Sequence, residues 1–178
     1  MRVRNKKVVV LTTIIIFISS LLIVGMKIKK EKWKEDKRKY LLEQQMLKQE
    51  LEPFMEEARN VMRGEKMGSG QMSYYEFHQE GYENVTAIEA DANIVVAEIN
   101  GDKGTLVVEY YINRLDKNGK KISWAGSVGS VWKIEKGENG SWALVDIPNS
   151  EGGEELVKEV EKLTEKMRKY GEAVPYDD

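Results

Sequence analysis

Cysteine is absent from this 178-residue chain, and histidine occurs only once, at His78. Without cysteine there is no disulfide, no thiolate metal site, no cysteine nucleophile and no acceptor for a lipoprotein anchor. A single histidine excludes metal sites that need several imidazoles. A folded domain must therefore be held together by its core alone. The lack of cysteine is also typical of proteins exported by Gram-positive bacteria.

Recognisable motifs for catalysis and nucleotide binding are also lacking. The loop RGEKMGSGQ, residues 63–71, has its lysine before the glycines, whereas a P-loop needs lysine directly after them. No Gly-x-Ser-x-Gly sequence accompanies His78, which lies in a polar segment and is expected to be a solvated imidazole. Carboxylate pairs such as Asp146 with Glu135 or Glu109 are expected by chance among 30 acidic residues. We predict a non-enzymatic protein with no catalytic residue, no cofactor and no metal.

One long stretch carries no charge: residues 8–26, VVVLTTIIIFISSLLIVGM. As a helix at about 1.5 Å per residue it spans roughly 28 Å, close to the hydrocarbon thickness of a bilayer. A cleaved signal peptide is one alternative, but Lys27 and further lysines stand where a cleavage site of small residues is needed. A buried core helix is another, although such helices usually keep a polar face. We predict an uncleaved signal-anchor, a single-pass transmembrane helix behind a basic tail of residues 1–7.

Two arguments about the orientation of this helix disagree. Eight lysine or arginine side chains follow it within residues 27–39 and four precede it, which favours a cytoplasmic domain. The preceding tail, however, is only seven residues long, and moving its four cations and its α-amino group across an energised membrane is unfavourable. We predict a cytoplasmic N-terminus and an extracytoplasmic C-terminal domain in the cell membrane.

Charge is divided between two opposite regions, although the net charge is only −2. Residues 1–40 contain 12 basic and 3 acidic side chains, whereas residues 41–178 contain 16 basic and 27 acidic ones. The basic region lies next to the predicted span, where cations meet anionic headgroups of the lipid bilayer. No base-reading motif accompanies it, so we predict no nucleic-acid partner. The residues predicted to contact the membrane surface are Lys27, Lys29, Lys30, Lys32 and Lys34.

Residues 27–63 are predicted to form basic juxtamembrane and amphipathic helices. Apolar residues recur there at a spacing of seven, and a second set fills the other seam position: Tyr40, Leu47, Phe54 and Val61, with Gln44, Leu51 and Ala58. Pro53 lacks an amide hydrogen and clashes with the preceding turn, so we expect either a kink or a fresh helix with Pro53 in its first turn, with helices over roughly 28–51 and 53–63. The seam either packs on the chain's own domain or mediates a homo-oligomer.

A Gly-rich loop and connector is predicted over residues 64–83, followed by an antiparallel sheet over residues 84–147. The Asn-Gly pairs at positions 100, 118 and 139 supply the positive φ angles of tight hairpins, so the strands should pair as a meander. Glycines within the longest strand predict a bulge in a curved sheet. The predicted strands are 84–89, 93–99, 104–113, 121–135 and 141–147.

Alternation along the last strands assigns their faces, and a final helix follows. The residues expected to be buried are Trp132, Ile134, Trp142, Leu144 and Ile147. Those expected to face water are Lys133, Glu135 and Asp146. Within residues 148–178, a helix over roughly 152–170 has an apolar stripe made by Leu156, Val160, Leu163 and Met167. This stripe packs on the sheet or on the first helices, or it binds a partner.

Helices followed by a curved antiparallel sheet that ends in WKIEKGENGSWALVDI, residues 132–147, resemble the NTF2-like cone-shaped α+β fold. The order of basic tail, single span, membrane-proximal helix and such a domain is similar to that of VirB8-like and TcpC-like components of conjugation and secretion machines. This resemblance covers residues 40–147 and carries over no catalytic residue. The final helix departs from the family pattern, in which the sheet ends the domain.

The resemblance implies a structural or interaction role in a bacterial envelope, conjugation or secretion assembly, with protein partners in a membrane complex. The alternative is a membrane-anchored module that encloses a small apolar ligand. Its lining would come from four aromatic residues that are otherwise plain core: Tyr110, Tyr111, Trp124 and Trp132.

Overall fold

The structure is a computed structural model that describes residues 2–76, 83–148 and 153–170, without the side chains of residues 2–20, 128 and 153–156. His78 therefore lies outside the described residues, and the predicted span at 8–26 lies largely outside the described side chains. Within the described part of the chain, no helix is both long and apolar enough to cross a membrane. The chain divides into two compact units, Met1–Glu43 and Gln44–Asp178.

Helix α1 is continuous from Arg2 to Met62 and contains Pro53 in its interior. The prediction of two helices separated near residue 52 is therefore wrong. Pro53 removes one backbone hydrogen bond, but its neighbours Leu51, Phe54 and Met55 are buried in the core. Burial of three such side chains contributes about 1.5–3 kcal/mol each, which offsets the cost of the proline.

The segment after α1 is more ordered than a simple connector. A 3-10 helix, Gly70–Tyr75, lies within the predicted loop at residues 64–83, and Met72 and Tyr75 are buried. That loop prediction is thus partly wrong. Glycine and serine indicated a break in the helix correctly, but the apolar residues beyond them fill the end of the core.

In the described ranges, four strands form one antiparallel sheet in sequential order: β1 Ala87–Asn100, β2 Lys103–Leu115, β3 Lys121–Lys136 and β4 Trp142–Asp146. The meander is confirmed, and the hairpin glycines Gly101, Gly119 and Gly140 all have positive φ. Five strands were expected, but the first two are a single strand. Ala90 and Ala92 bridge the predicted gap, opposite Ile112 and Tyr110 of β2.

Bulges occur where the glycines of the longest strand predicted one and also in β1. The pairing of β2 with β3 shifts between Val108 and Tyr110, where Ser130 and Ser127 are the successive partners. In β1 the shift lies between Ile94 and Val96. Each shift re-aims the side chains beyond it, so the strand alternation must be counted separately on the two sides of a bulge.

One face of the sheet, the inner face, packs on residues 44–62 of α1 and on the 3-10 helix. The predicted buried residues Trp132, Ile134, Trp142 and Leu144 all lie in this core, and Ile147 packs against it. The predicted seam positions from Gln44 to Val61 are the packed side of α1, with Leu51, Ala58 and Val61 fully buried. Within Gln44–Asp178, the seam thus serves the domain's own core.

Polar side chains of α1 form hydrogen bonds with the backbone of β1 along the edge of this strand that is not paired with β2. The Gln44 amide contacts both backbone groups of Ala97, and Arg59 donates to the carbonyl of Ala92 at 3.0 Å. Arg63 donates to the carbonyl of Ala90 at 3.2 Å. An open strand edge is a template for unwanted pairing, and these bonds occupy part of it.

Helix α2, Gly153–Tyr170, confirms the predicted C-terminal helix and completes an α+β fold. It contacts the opposite, outer face of the sheet through Glu159, which accepts from Lys133 and from Thr105. The predicted stripe residues Leu163 and Met167 are buried, and the side chain of Leu156 lies outside the described part. Lys133 was expected to face water and is instead partly buried in this ion pair, because α2 covers its side of the sheet.

Candidate interaction surface

The four aromatic residues predicted as ligand lining or core are divided between the two faces of the sheet. Tyr110 and Trp132 point to the inner face, where Trp132 is fully buried and Tyr110 packs against the core. Tyr111 and Trp124 lie on the outer face and are exposed. The structure therefore does not bring the four rings together around one ligand, because adjacent strand positions point in opposite directions.

On the inner face the aromatic rings pack against one another. Trp132 donates its indole N–H to the Tyr75 hydroxyl at 2.8 Å and meets Phe54 edge to face, with the ring centres 6.1 Å apart. Tyr75 also meets Tyr110, with the ring centres 5.1 Å apart. Burial raises the pKa of Tyr75 and, to a lesser degree, that of Tyr110. This geometry is that of a packed aromatic core.

Among the described residues, α2 covers one half of the outer face and no element covers the other half. In the covered half, Val96, Val107 and Val131 lie side by side on three strands and are buried. Ion pairs at this end join α2 to the sheet, including Lys162 with Glu98 at 3.6 Å. These residues form a second, smaller core between α2 and the sheet.

The uncovered half lies beyond these three valines, toward the turn between β2 and β3. Trp124 is 62% exposed, and Tyr111 and Ile122 are each 44% exposed. A Cβ at Gly126 would stand 3.0 Å from Cζ2 of Trp124, so the indole ring lies beside Gly126, which is the residue paired with Tyr111. Glycine at this position leaves room for the Trp124 ring.

Carboxylates and amides surround these rings. Asp91 pairs with Tyr111 and Glu89 pairs with Asn113, while Asn113 in turn pairs with Trp124. Glu109 lies on the same face, opposite Asn93. We call this set the acidic-aromatic surface, and it consists of Glu89, Asp91, Asn93, Glu109, Tyr111, Asn113, Ile122 and Trp124.

Sequence reasoning did not identify this surface as one site. The sequence analysis names Tyr111 and Trp124, but it groups them with Tyr110 and Trp132 as one ligand lining or core. The available signal was the alternation itself: Tyr110 and Tyr111 are neighbours in one strand and must face opposite ways. The acidic residues of β1 could not be placed beside the rings without the register of three strands.

The predicted membrane-surface lysines lie on α1 in the unit Met1–Glu43. Because helical residues turn by about 100° each, these five lysines are distributed around the whole helix rather than along one side. All five are exposed, and Lys34 pairs with Glu31 at 2.9 Å. Directly before and among them, apolar side chains are exposed to between 54% and 63%: Leu21, Leu22, Ile23, Val24, Met26 and Ile28.

A groove of about 480 Å³ beside the β1–β2 hairpin contains charged side chains. Lys103 bonds to Glu135 at 2.7 Å, and this contact raises the pKa of Lys103. Lys162 and Glu98 also line this groove as a pair. Its lysines and carboxylates thus neutralise one another across the groove.

Among the described residues, no group of three or more His, Asp or Glu side chains is placed to hold a metal ion. Comparisons with protein-family models, with curated proteins and with solved structures gave no match.

Proposed function

We propose that the chain is a single-pass membrane protein that presents its α+β domain as an interaction component of a bacterial envelope, conjugation or secretion assembly. The observation that carries this proposal is the exposed apolar sequence Leu21–Ile28 of α1, immediately followed and partly overlapped by exposed lysines. The VirB8-like and TcpC-like layout of the sequence supports the same role.

Exposed apolar side chains on a helix are unfavourable in water. Each large one gains about 1.5–3 kcal/mol when it is transferred to an apolar environment, and six of them lie within Leu21–Ile28. Together with the uncharged residues 8–20 they extend over the length that a bilayer requires. The lysines that follow lie where anionic headgroups attract cations, at about 1 kcal/mol each.

We propose that the domain lies outside the cytoplasm. The four cations of residues 1–7 stay on the cytoplasmic side, while the region beyond residue 40, with 27 acidic and 16 basic side chains, is translocated. The absence of cysteine agrees with a domain that forms its core without disulfides.

Membrane integration is tested by alkaline carbonate extraction of cell membranes that contain the full-length chain. The double variant Ile16→Lys and Phe17→Lys should move the chain to the soluble fraction, because each central lysine costs about 2.5–3.5 kcal/mol. The matched control, Leu41→Lys with Leu42→Lys, changes two exposed residues of the same helix beyond the span and should stay in the membrane. Full extraction of the unaltered chain would refute the anchor.

Orientation and partners are tested in the same cells. Protease is added to cells whose wall has been removed and whose membrane is intact. It should cleave a C-terminal tag if the domain is outside. Crosslinking followed by identification of the attached proteins should give the same membrane-complex partners in repeated preparations. A tag protected from protease until the membrane is lysed would refute the extracytoplasmic placement.

A further inference from the structure

We propose that the acidic-aromatic surface binds a lysine- and arginine-rich segment of a partner protein. This inference rests on the interaction role proposed above, and it names the docking face and the chemistry of the partner. It does not depend on which side of the membrane the domain occupies.

The charge of the surface selects a cationic partner. Lys121, which pairs with Leu115, lies in the next row along the strands, whereas none of the eight residues of the acidic-aromatic surface is lysine or arginine. Three of them are carboxylates: Glu89, Asp91 and Glu109. Anionic lipid headgroups and nucleic acid are repelled by such a surface, whereas a basic segment is attracted.

The arrangement of rings and carboxylates matches the shape of long basic side chains. Two rows cross the sheet, Asp91–Tyr111–Gly126 and Glu89–Asn113–Trp124, each starting at an acid on β1. Neighbouring strands are about 4.8 Å apart, so each row is roughly 10 Å long. A lysine or arginine laid along such a row places its aliphatic stem on a ring and its charge near a carboxylate.

The hydrogen-bonding groups of the surface are mainly acceptors. The three carboxylates offer acceptors only, and the two oxygens of Asp91 already accept from the Ala92 amide and the Asn93 side chain. Lysine and arginine side chains carry only donors, so they complement such a set. The exposed faces of Trp124 and Tyr111 add cation–π attraction, which is strongest for tryptophan.

The test measures binding of a dye-labelled dodecalysine peptide to the full-length chain in neutral detergent micelles, by fluorescence anisotropy at low salt. The triple variant Glu89→Gln, Asp91→Asn and Glu109→Gln should weaken binding about fivefold or more, because three carboxylates that attract the ammonium groups of the peptide are removed. The matched control, Glu65→Gln, Glu83→Gln and Glu138→Gln, removes the same charge from exposed positions elsewhere and should change Kd less than about twofold.

The contribution of the rings is tested separately. Tyr111→Ala with Trp124→Ala should weaken binding about fivefold or more, and Tyr111→Phe with Trp124→Phe should restore most of it, because both rings remain. Tyr74→Ala removes an exposed ring outside the surface and should have no effect. Circular dichroism of each variant confirms that the domain is folded.

Equal loss of binding in the two triple variants would overturn the proposal, because the attraction would then come from net charge alone. Equal binding of fully acetylated, uncharged dodecalysine would overturn it too. Membrane extraction and crosslinking do not use this surface in their readout. Failure of peptide binding with an intact membrane anchor therefore refutes the docking face alone, and the reverse result refutes the anchor alone.

Discussion

The side-chain amide of Gln44 in α1 pairs with both backbone groups of Ala97 in β1. Nε2 donates to the carbonyl oxygen at 2.9 Å, and the Ala97 amide donates to Oε1 at 3.0 Å. The side chain of Gln44 thus pairs with β1 as one residue of a neighbouring strand would, because it offers a donor and an acceptor at the spacing of a peptide group. It also explains why a polar residue occupies a buried position in an otherwise apolar seam.

Replacement of Gln44 by alanine should lower the free energy of unfolding by about 2–4 kcal/mol. Two buried backbone groups of Ala97 lose their partner, and each unsatisfied group costs about 1–3 kcal/mol. Chemical denaturation of the full-length chain in detergent measures the change. Gln45→Ala, at the exposed neighbouring position, is the control and should stay within about 0.5 kcal/mol of the unaltered chain. Equal effects at the two positions would contradict the role of Gln44.

The inner core could be predicted from the sequence because its signals are local. The Asn-Gly turns fixed the hairpins, and alternation placed Trp132 and Ile134 on the buried face. The C-terminal helix followed from apolar residues at helical spacing. In each case neighbouring residues determine the result, with no information needed from distant segments.

The errors occurred where distant contacts override local preference. Pro53 predicts a helix break, but burial of the residues around it holds α1 together. The sequence predicts a gap between two strands at residues 90–92, but β1 continues through it, and Arg59 and Arg63 bind the carbonyls of Ala92 and Ala90 there. The acidic-aromatic surface exists only once three strands are in register, so it was not predicted.

Replacement of Trp132 tests the packing of the inner core. Trp132→Ala should lower the free energy of unfolding by about 3–5 kcal/mol, because a fully buried ring is lost and the Tyr75 hydroxyl loses its donor. Trp124→Ala, in the same strand but on the exposed outer face, should change it by less than about 1 kcal/mol. Thermal or denaturant unfolding of both variants checks the assignment of faces. Similar losses for the two tryptophans would refute it.

Alkaline pH should destabilise the domain through its buried tyrosines. Burial raises the pKa of Tyr75 and Tyr110, whereas an unfolded tyrosine titrates near about pH 10. The folded state then holds protons that the unfolded state releases, so stability is complete below about pH 10 and falls as the pH rises further.

Denaturant unfolding at several alkaline pH values measures this fall, with a slope of up to about 1.4 kcal/mol per pH unit for each tyrosine. Tyr110→Phe should reduce the slope, since one titrating group is removed while its ring remains against Tyr75. A free energy of unfolding that stays constant from about pH 9 to about pH 11 would contradict the burial of these hydroxyls.

The lysines after the predicted span should bind anionic lipid. The triple variant Lys27→Gln, Lys29→Gln and Lys30→Gln should lower the fraction of cell-free-synthesised chain that floats with vesicles containing anionic phosphatidylglycerol, because each cation contributes about 1 kcal/mol near the surface. Flotation with neutral phosphatidylcholine vesicles should not change. A matched variant, Lys117→Gln, Lys120→Gln and Lys121→Gln, removes the same charge from exposed positions around the β2–β3 turn. If this control lowers flotation equally, the effect reflects net charge and the predicted membrane contact is wrong.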